Sequence, residues 1–212
     1  MKISKSKTKL KLKNYSISRN FEDQYTAGNK IFENSKYTYT PNSSTESGVV
    51  YLNKERVAEF FKKKSFYNMF LQPRIIGAPL YKEFANDKTG VFKVALKEKV
   101  GWRTIKEPDG ILYNNANKTL YIIEVKYQST KGTTHEKLGA ANYIKFFYER
   151  AAEKLNAEAI RQNVDVRIDK VVIVYIVNKW LYDNYPDDFE YLDSEGISYF
   201  IEKYPPLSFF GL

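Results

Sequence analysis

Residues 107–128 read EPDGILYNNANKTLYIIEVKYQ, a run in which charged residues interrupt a pattern typical of buried strands. Most residues of 119–127 are β-branched, aromatic or aliphatic, and such residues fill strands that pack inside a domain. Residues 114–118 are rich in types that tolerate a left-handed backbone, which predicts a tight turn. We therefore predict two strands, over 110–113 and 119–127, joined as a hairpin.

Two charged residues near the end of the second strand call for an explanation. Side chains alternate across a strand, so Glu124 and Lys126 project to one face and Val125 to the other. Asp109 lies just ahead of the first strand, and the hairpin would return Glu124 close to it. Two converging carboxylates repel each other, and a divalent cation between them removes that repulsion. The pattern predicts a magnesium site, with an ordinary salt-bridge network on a half-exposed hairpin as the alternative.

Helices are predicted on both sides of the hairpin. Apolar residues at helical spacing indicate a helix from 53 to 71, ended by Pro73. A second amphipathic helix is predicted over 133–155, where Thr133 or Thr134 can cap the first turn and Glu136 is within capping-box reach.

Further strands complete the pattern. Apolar residues over 91–100 indicate a strand entering the hairpin, and the nearly continuous apolar run over 170–177 is typical of a strand covered on both faces. Residues 34–48 are predicted to form a loop. The predicted order is helix, three strands, helix, strand, which indicates an α/β fold with a central mixed sheet flanked by helices.

Composition excludes several kinds of site. The 212 residues are enough for one domain with its own core. The chain has no cysteine and a single histidine, His135, which excludes disulfides, thiolate zinc sites and cysteine nucleophiles and argues against a histidine triad. Any metal must then be held by oxygen atoms, the ligands that magnesium prefers.

The charge distribution favours a polyanionic partner such as nucleic acid. The net charge is +9, and the seven acids and one lysine from Leu181 onward leave the preceding part more basic still. Residues 1–20 carry seven basic residues and no acid, and they form either a phosphate-contacting arm or a solvated one. We expect no membrane span and a cytoplasmic location, because the chain has neither an apolar run of about eighteen residues nor a signal-peptide pattern.

Pro108-Asp109 and Glu124-Val125-Lys126 together resemble the two elements that name the PD-(D/E)XK nuclease superfamily. The resemblance covers about residues 50–178. It implies the restriction-endonuclease-like core of order αβββαβ. The corresponding division of the chain is a basic arm and loop over 1–48, a nuclease core over 49–178, and an acidic, aromatic extension over 179–212 packed on the same domain.

The resemblance also implies roles for individual residues. Asp109 and Glu124 would be metal ligands, the backbone carbonyl of Val125 would contribute a third oxygen, and Lys126 would be the catalytic lysine.

Many members of the superfamily add an acid from the first core helix. Glu55 or Glu59 is the candidate here, with Glu55 preferred because it lies near the predicted helix start. The alternative is that both are solvent-facing helix charges.

The polar loop after Lys126 resembles loops that follow the motif lysine in type II restriction endonucleases. Its side chains can read base edges or bind phosphate, although a capping loop without a ligand would have a similar composition. The candidate DNA-binding residues are Gln128, Ser129, Thr130, Lys131, Thr133, Thr134, His135 and Lys137.

These features favour a magnesium-dependent, sequence-specific endonuclease of the type II restriction kind, acting on double-stranded DNA. We expect manganese to substitute for magnesium, no nucleotide cofactor, and a homodimer that cuts both strands. The alternatives are another PD-(D/E)XK enzyme, such as a junction resolvase or a phage or repair nuclease, and a DNA-binding protein that keeps this fold without cleaving.

Overall fold

The computed structural model of the chain describes four stretches, residues 16–41, 47–62, 108–161 and 167–212. Several predictions lie outside the described residues: the lysine-rich residues 1–13, the part of the predicted 53–71 helix after Lys62, and the strand over 91–100.

The described residues build one mixed sheet whose seven strands follow each other in chain order. Strands β1 to β5 pair antiparallel, whereas β5, β6 and β7 are parallel. The strands are β1 (Thr38–Pro41), β2 (Ser47–Leu52), β3 (Glu55–Lys62), β4 (Gly110–Asn114), β5 (Thr119–Lys126), β6 (Lys170–Val177) and β7 (Ser198–Ile201).

Helices connect the parallel strands and cover the sheet. The described helices are α1 (16–25), α2 (Gly28–Ile31), α3 (Ala141–Arg161), α4 (Lys179–Asn184) and α5 (Pro186–Ser194), with short 3-10 turns at His135–Lys137 and Leu207–Phe210. The crossover from β5 to β6 runs through α3, and the crossover from β6 to β7 runs through α4 and α5. None of these helices combines the length and the apolar character needed to cross a membrane.

Each face of the sheet buries its own hydrophobic cluster. On the α3 face, Ile122 and Tyr175 of the central strands pack in one cluster with Ile144 and Tyr148 of α3. On the opposite face, Ile123 and Val174 pack in one cluster with Tyr25 of α1. Strands β4, β5 and β6 therefore bury apolar side chains on both faces, which confirms the coverage predicted for 170–177.

The hairpin prediction is confirmed in its turn as well as in its strands. The Asn114 side chain is fully buried, and its Oδ1 accepts hydrogen bonds from the backbone N–H of Ala116 at 2.8 Å and of Asn117 at 3.3 Å. Lys118 adopts a φ of +54°, the left-handed conformation that this turn needs.

The predicted helix over 53–71 is wrong for residues 55–62, which form β3. Asn53 and Lys54 both have positive φ, at +51° and +69°, so they form a two-residue hairpin loop between β2 and β3. A bulge then leaves Val57 without a partner on β2, because Tyr51 pairs with Arg56 and Val50 pairs with Ala58. The bulge breaks the alternation of the strand, and this is why the apolar residues imitate helical spacing.

The other boundaries shift for local reasons. The predicted loop over 34–48 contains β1 and the first residues of β2. Within the predicted arm and loop of 1–48, residues 16–41 also hold α1 and α2. The helix expected over 133–155 begins only at Ala141, after a 3-10 turn.

The capping box predicted for that helix does not form. The Thr134 side chain makes no capping hydrogen bond. The side chain of Gln128 accepts the hydrogen bond of the His135 N–H instead, at 3.1 Å.

The last thirty residues complete the core. Phe189 and Leu192 of α5 pack in the cluster of the α3 face, and Phe210 packs in the cluster of the opposite face. The core packing expected for these aromatic residues is therefore confirmed for Phe189 and Phe210. The Asn114 Nδ2 also donates to the carbonyl of Phe210 at 2.8 Å, which ties the chain end to the hairpin turn.

We expect Asn114→Ala to lower the free energy of unfolding by about 2–4 kcal/mol, because it removes several hydrogen bonds and leaves buried backbone groups unpaired. Urea denaturation measures the loss. Asn184→Ala is the matched control, since its amide bonds a backbone carbonyl at an exposed position. Equal stabilities for the two variants would show that the buried amide does not tie the turn to the chain end.

Candidate functional site

The candidate site lies where the C-terminal end of β5 meets the start of β4. Gly110 pairs with Ile123, so Asp109, one residue earlier, lies beside Glu124. Glu124 and Lys126 both project to the α3 face, as the alternation of the strand predicted. The antiparallel pairing of β4 and β5 thus brings residues from both ends of the hairpin to one edge of the sheet.

Three oxygen-bearing groups surround the ammonium of Lys126. The Nζ atom donates to Glu124 Oε2 at 2.6 Å, to Asp109 Oδ2 at 3.2 Å and to the backbone carbonyl of Val125 at 3.2 Å. These are the three groups that the sequence singled out as candidate metal ligands. We call Asp109, Glu124, Val125 and Lys126 the carboxylate cluster.

The orientation of Asp109 is set by the backbone of β5. Its Oδ2 accepts a hydrogen bond from the N–H of Val125 at 2.8 Å, in addition to the bond from Lys126. The carboxylate is therefore held against the strand that carries the other two charges.

The cluster is largely removed from solvent. The exposed fractions of the side chains are 9% for Asp109, 12% for Glu124 and 12% for Lys126. Burial by itself would lower the pKa of the Lys126 ammonium, but the neighbouring carboxylates of Glu124 and Asp109 outweigh it and hold this pKa above its usual value. Lys126 consequently stays positively charged beside the two carboxyl groups.

Tyr175 is a further residue of this site that the sequence did not reveal. It lies on β6, in register with Glu124 across the parallel β5–β6 pair, and it is completely buried. Burial, and then the charge of Glu124, raise the pKa of its hydroxyl above the usual range, so the group keeps its proton. In the sequence Tyr175 is one more aromatic residue of an apolar strand, and no local spacing relates it to Glu124.

Gln128 holds the loop that follows the carboxylate cluster. Its side chain is buried and its Nε2 donates to the carbonyls of Thr130 and Gly132 and to the hydroxyl of Tyr185, at 3.0, 3.2 and 3.1 Å. The backbone N–H of Gln128 donates to Asn178 Oδ1, and the backbone carbonyl of Gln128 accepts from Asn178 Nδ2, both at 2.9 Å. Asn178 is a residue that the sequence did not single out. These bonds give Gln128 a structural role in the loop.

The remaining candidate DNA-binding residues differ in their surroundings. His135 stacks on Tyr185 with ring centroids 4.0 Å apart, and its Nδ1 lies 3.1 Å from Asp188 Oδ2. Ser129 and Thr134 are half-buried. Of the candidates, Thr130, Lys131, Thr133 and Lys137 are exposed to solvent.

The candidate acids of the first predicted helix do not join the cluster, because that segment is a strand. Glu55 is exposed at the start of β3, whereas Lys62 at the other end pairs with Gly110. Seven residues of strand separate Glu55 from that end, which is about 23 Å.

Glu59 is buried, but it lies opposite Tyr113, four residues along β4 from Asp109 and about 13 Å away at the strand rise. Its Oε1 accepts a hydrogen bond from Arg56, which the bulge at Val57 turns to the same face. Burial raises the pKa of Glu59 to about 8, against the opposing effect of Arg56. Glu59 thus belongs to a separate contact with Arg56, away from the carboxylate cluster.

The donor set of the carboxylate cluster fits a magnesium ion. Two carboxylates and a backbone carbonyl already converge on one cationic atom, and oxygen donors of these kinds are the ligands of hard divalent cations. Within the described part of the chain, no group of three or more His, Cys, Asp or Glu side chains is gathered as a metal site. A magnesium ion here would accordingly take its remaining ligands from water and substrate, as it commonly does.

Comparison of the chain with protein-family models, with curated proteins and with solved structures finds no match. A function for this chain therefore has to be inferred from the carboxylate cluster and the sheet that forms it.

Proposed function

We propose that the chain is a magnesium-dependent endonuclease of the PD-(D/E)XK type that hydrolyses phosphodiester bonds in double-stranded DNA, in the manner of a type II restriction enzyme. The observation that carries the proposal is the meeting of Asp109, Glu124 and the Val125 carbonyl around the ammonium of Lys126. A structural role alone does not require two nearly buried carboxylates to meet at one ammonium, because converging carboxylates repel each other and a divalent cation removes that repulsion.

The topology supports the same proposal. Strands β3, β4 and β5 pair antiparallel, α3 crosses over, and β6 returns parallel to β5. This succession resembles the part of the superfamily core that follows its first helix, and the carboxylate cluster lies on the second and third of the three antiparallel strands.

The residues of the cluster divide the chemistry between them. Asp109, Glu124 and the Val125 carbonyl would hold the magnesium ion, and Asp109 is already oriented by the N–H of Val125. The chemistry that a bound magnesium ion supplies is polarisation of the scissile phosphate and a lower pKa for its water. Lys126 stays charged near the reacting phosphate and stabilises the negative charge that develops on it.

Charge and loop geometry support DNA as the substrate. The chain carries a net charge of +9, and the loop after Lys126 presents Lys131 and Lys137 to solvent on the C-terminal side of β5. Cations so placed can bind the phosphates that flank the scissile bond. Cleavage of both strands at a symmetric sequence would require two copies of the chain, so we include a homodimer in the proposal.

We expect Asp109→Asn, Glu124→Gln and Lys126→Met each to lower the rate of plasmid cleavage by about 100-fold or more, because each removes a charge that acts on the reacting phosphate or its metal. Conversion of supercoiled plasmid in the presence of magnesium measures this rate. Glu55→Gln is the matched control, since it removes a carboxylate outside the cluster and should leave the rate unchanged. If any of the three variants cuts at the wild-type rate, the role given to that residue is wrong.

Assays of the wild-type protein on DNA with magnesium also distinguish the candidate functions. Discrete linear products support a restriction endonuclease, whereas preference for branched substrates supports a resolvase. Binding of DNA without nicking would contradict the proposed activity.

We expect Lys126→Met to lower the free energy of unfolding in metal-free buffer by about 3 kcal/mol, because it leaves two nearly buried carboxylates without their cation. Excess magnesium should restore most of this loss, since it supplies the missing charge and stabilises only the folded state. Thermal and urea denaturation with chelator or magnesium measure both effects. Lys179→Met is the control, because its ion pair with Asp183 is exposed, and it should respond to magnesium as the wild type does. If magnesium leaves the stability of Lys126→Met unchanged, metal binding by the cluster is contradicted.

A further inference from the structure

The hydroxyl of Tyr175 is an unusual group in this core. Tyr175 is completely buried in the cluster of the α3 face, yet its hydroxyl has no hydrogen-bond partner among the described residues. Buried polar groups are nearly always bonded, because leaving water without a new partner is unfavourable. A phenylalanine would fill the same space without that penalty.

A second tyrosine of the same cluster shows the ordinary arrangement. Tyr113 is also buried on the α3 face, and its hydroxyl donates to the backbone carbonyl of Arg167 at 2.8 Å. Tyr113 therefore has the structural role expected of a core tyrosine, whereas the hydroxyl of Tyr175 contributes no such bond.

The surroundings of Tyr175 indicate which partner its hydroxyl would serve. Glu124 lies directly beside it in the β5–β6 register, and side chains paired in this way project to the same face. Glu124 belongs to the carboxylate cluster, so the register places Tyr175 beside that cluster on the α3 face.

A carboxylate such as that of Glu124 can accept more than one hydrogen bond. Its Oε2 accepts a hydrogen bond from Lys126 at 2.6 Å, and a carboxylate has about four acceptor positions on its two oxygens. A divalent cation held by Glu124 would compete with the ammonium of Lys126 for the same oxygens. Carboxylates that bind metals are commonly oriented by hydrogen bonds from neighbouring side chains.

We propose that Tyr175 is a positioning residue of the carboxylate cluster, whose hydroxyl donates a hydrogen bond to Glu124 when that carboxylate turns from Lys126 to hold the divalent cation. This inference rests on the proposed metal site. This role accounts for the buried hydroxyl beside Glu124, because the hydroxyl would form its hydrogen bond only in the metal-loaded protein. A tyrosine hydroxyl carries an O–H donor, so Tyr175 has the group that such a bond requires.

The test compares Tyr175→Phe with Tyr113→Phe, two variants that each remove one hydroxyl from the same core cluster. Isothermal titration with Mn²⁺ measures metal affinity, and thermal unfolding in the presence of a chelator measures the stability of the metal-free protein. Glu124→Gln shows whether the titrated ion binds at the cluster.

For Tyr175→Phe we expect the Kd for Mn²⁺ to rise about 10-fold, as on loss of other hydrogen bonds to metal ligands. We expect its metal-free Tm to stay the same or to rise by about 2–4 °C, because an unpaired buried hydroxyl is removed. For Tyr113→Phe we expect the opposite pattern, with a lower Tm and an unchanged Kd, because it loses a structural hydrogen bond.

Two results would overturn the inference, and they are distinguishable. If wild type binds Mn²⁺, Glu124→Gln weakens that binding and Tyr175→Phe leaves the Kd unchanged, the positioning role is wrong and the proposed metal site stands. If wild type and Glu124→Gln give the same titration, the cluster does not bind the ion, and both the proposed function and this inference fail.

Discussion

The bonds of the Lys126 ammonium to Asp109, Glu124 and the Val125 carbonyl are the interaction on which the site depends. They hold two carboxylates together at an edge of the sheet where little solvent reaches them. Without a cation between them, repulsion and burial would separate these groups. The same requirement makes the cluster suited to a divalent ion, because a second positive charge can take up the oxygens that the ammonium now binds.

The topology explains why the charges stand at this edge. Strands β5 and β6 are covered on both faces for most of their length, so a charged side chain could be accommodated only near a strand end. The parallel strands β5, β6 and β7 end on the same side of the sheet, and the loop ordered by Gln128 follows there. In open α/β sheets, the crevice beyond the carboxyl ends of the strands is the usual place for a ligand.

Short-range patterns predicted the hairpin of β4 and β5 correctly, but they predicted a helix where β3 lies. The 114–118 turn is readable because its residues themselves bond the backbone, as Asn114 does. The loop at Asn53 and Lys54 lacks glycine, and the bulge at Val57 adds a residue that only the partner strand β2 reveals. The helical periodicity predicted a helix that would bring Glu55 or Glu59 near the cluster. Pairing across strands overrode that periodicity, so both residues lie on β3 and away from the cluster.

Asp109, Glu124 and Lys126 could be named from the chain alone, because strand alternation and a tight turn act over a few residues and dictate which side chains meet. The sequence alone did not reveal Tyr175, Asn178 or the structural role of Gln128. They follow from the parallel pairing of β6 with β5, and that pairing arises when the chain crosses over through α3, which covers one face of the sheet. Burial of this kind is a property of the assembled core, and the local sequence does not determine which distant residue lies beside Glu124.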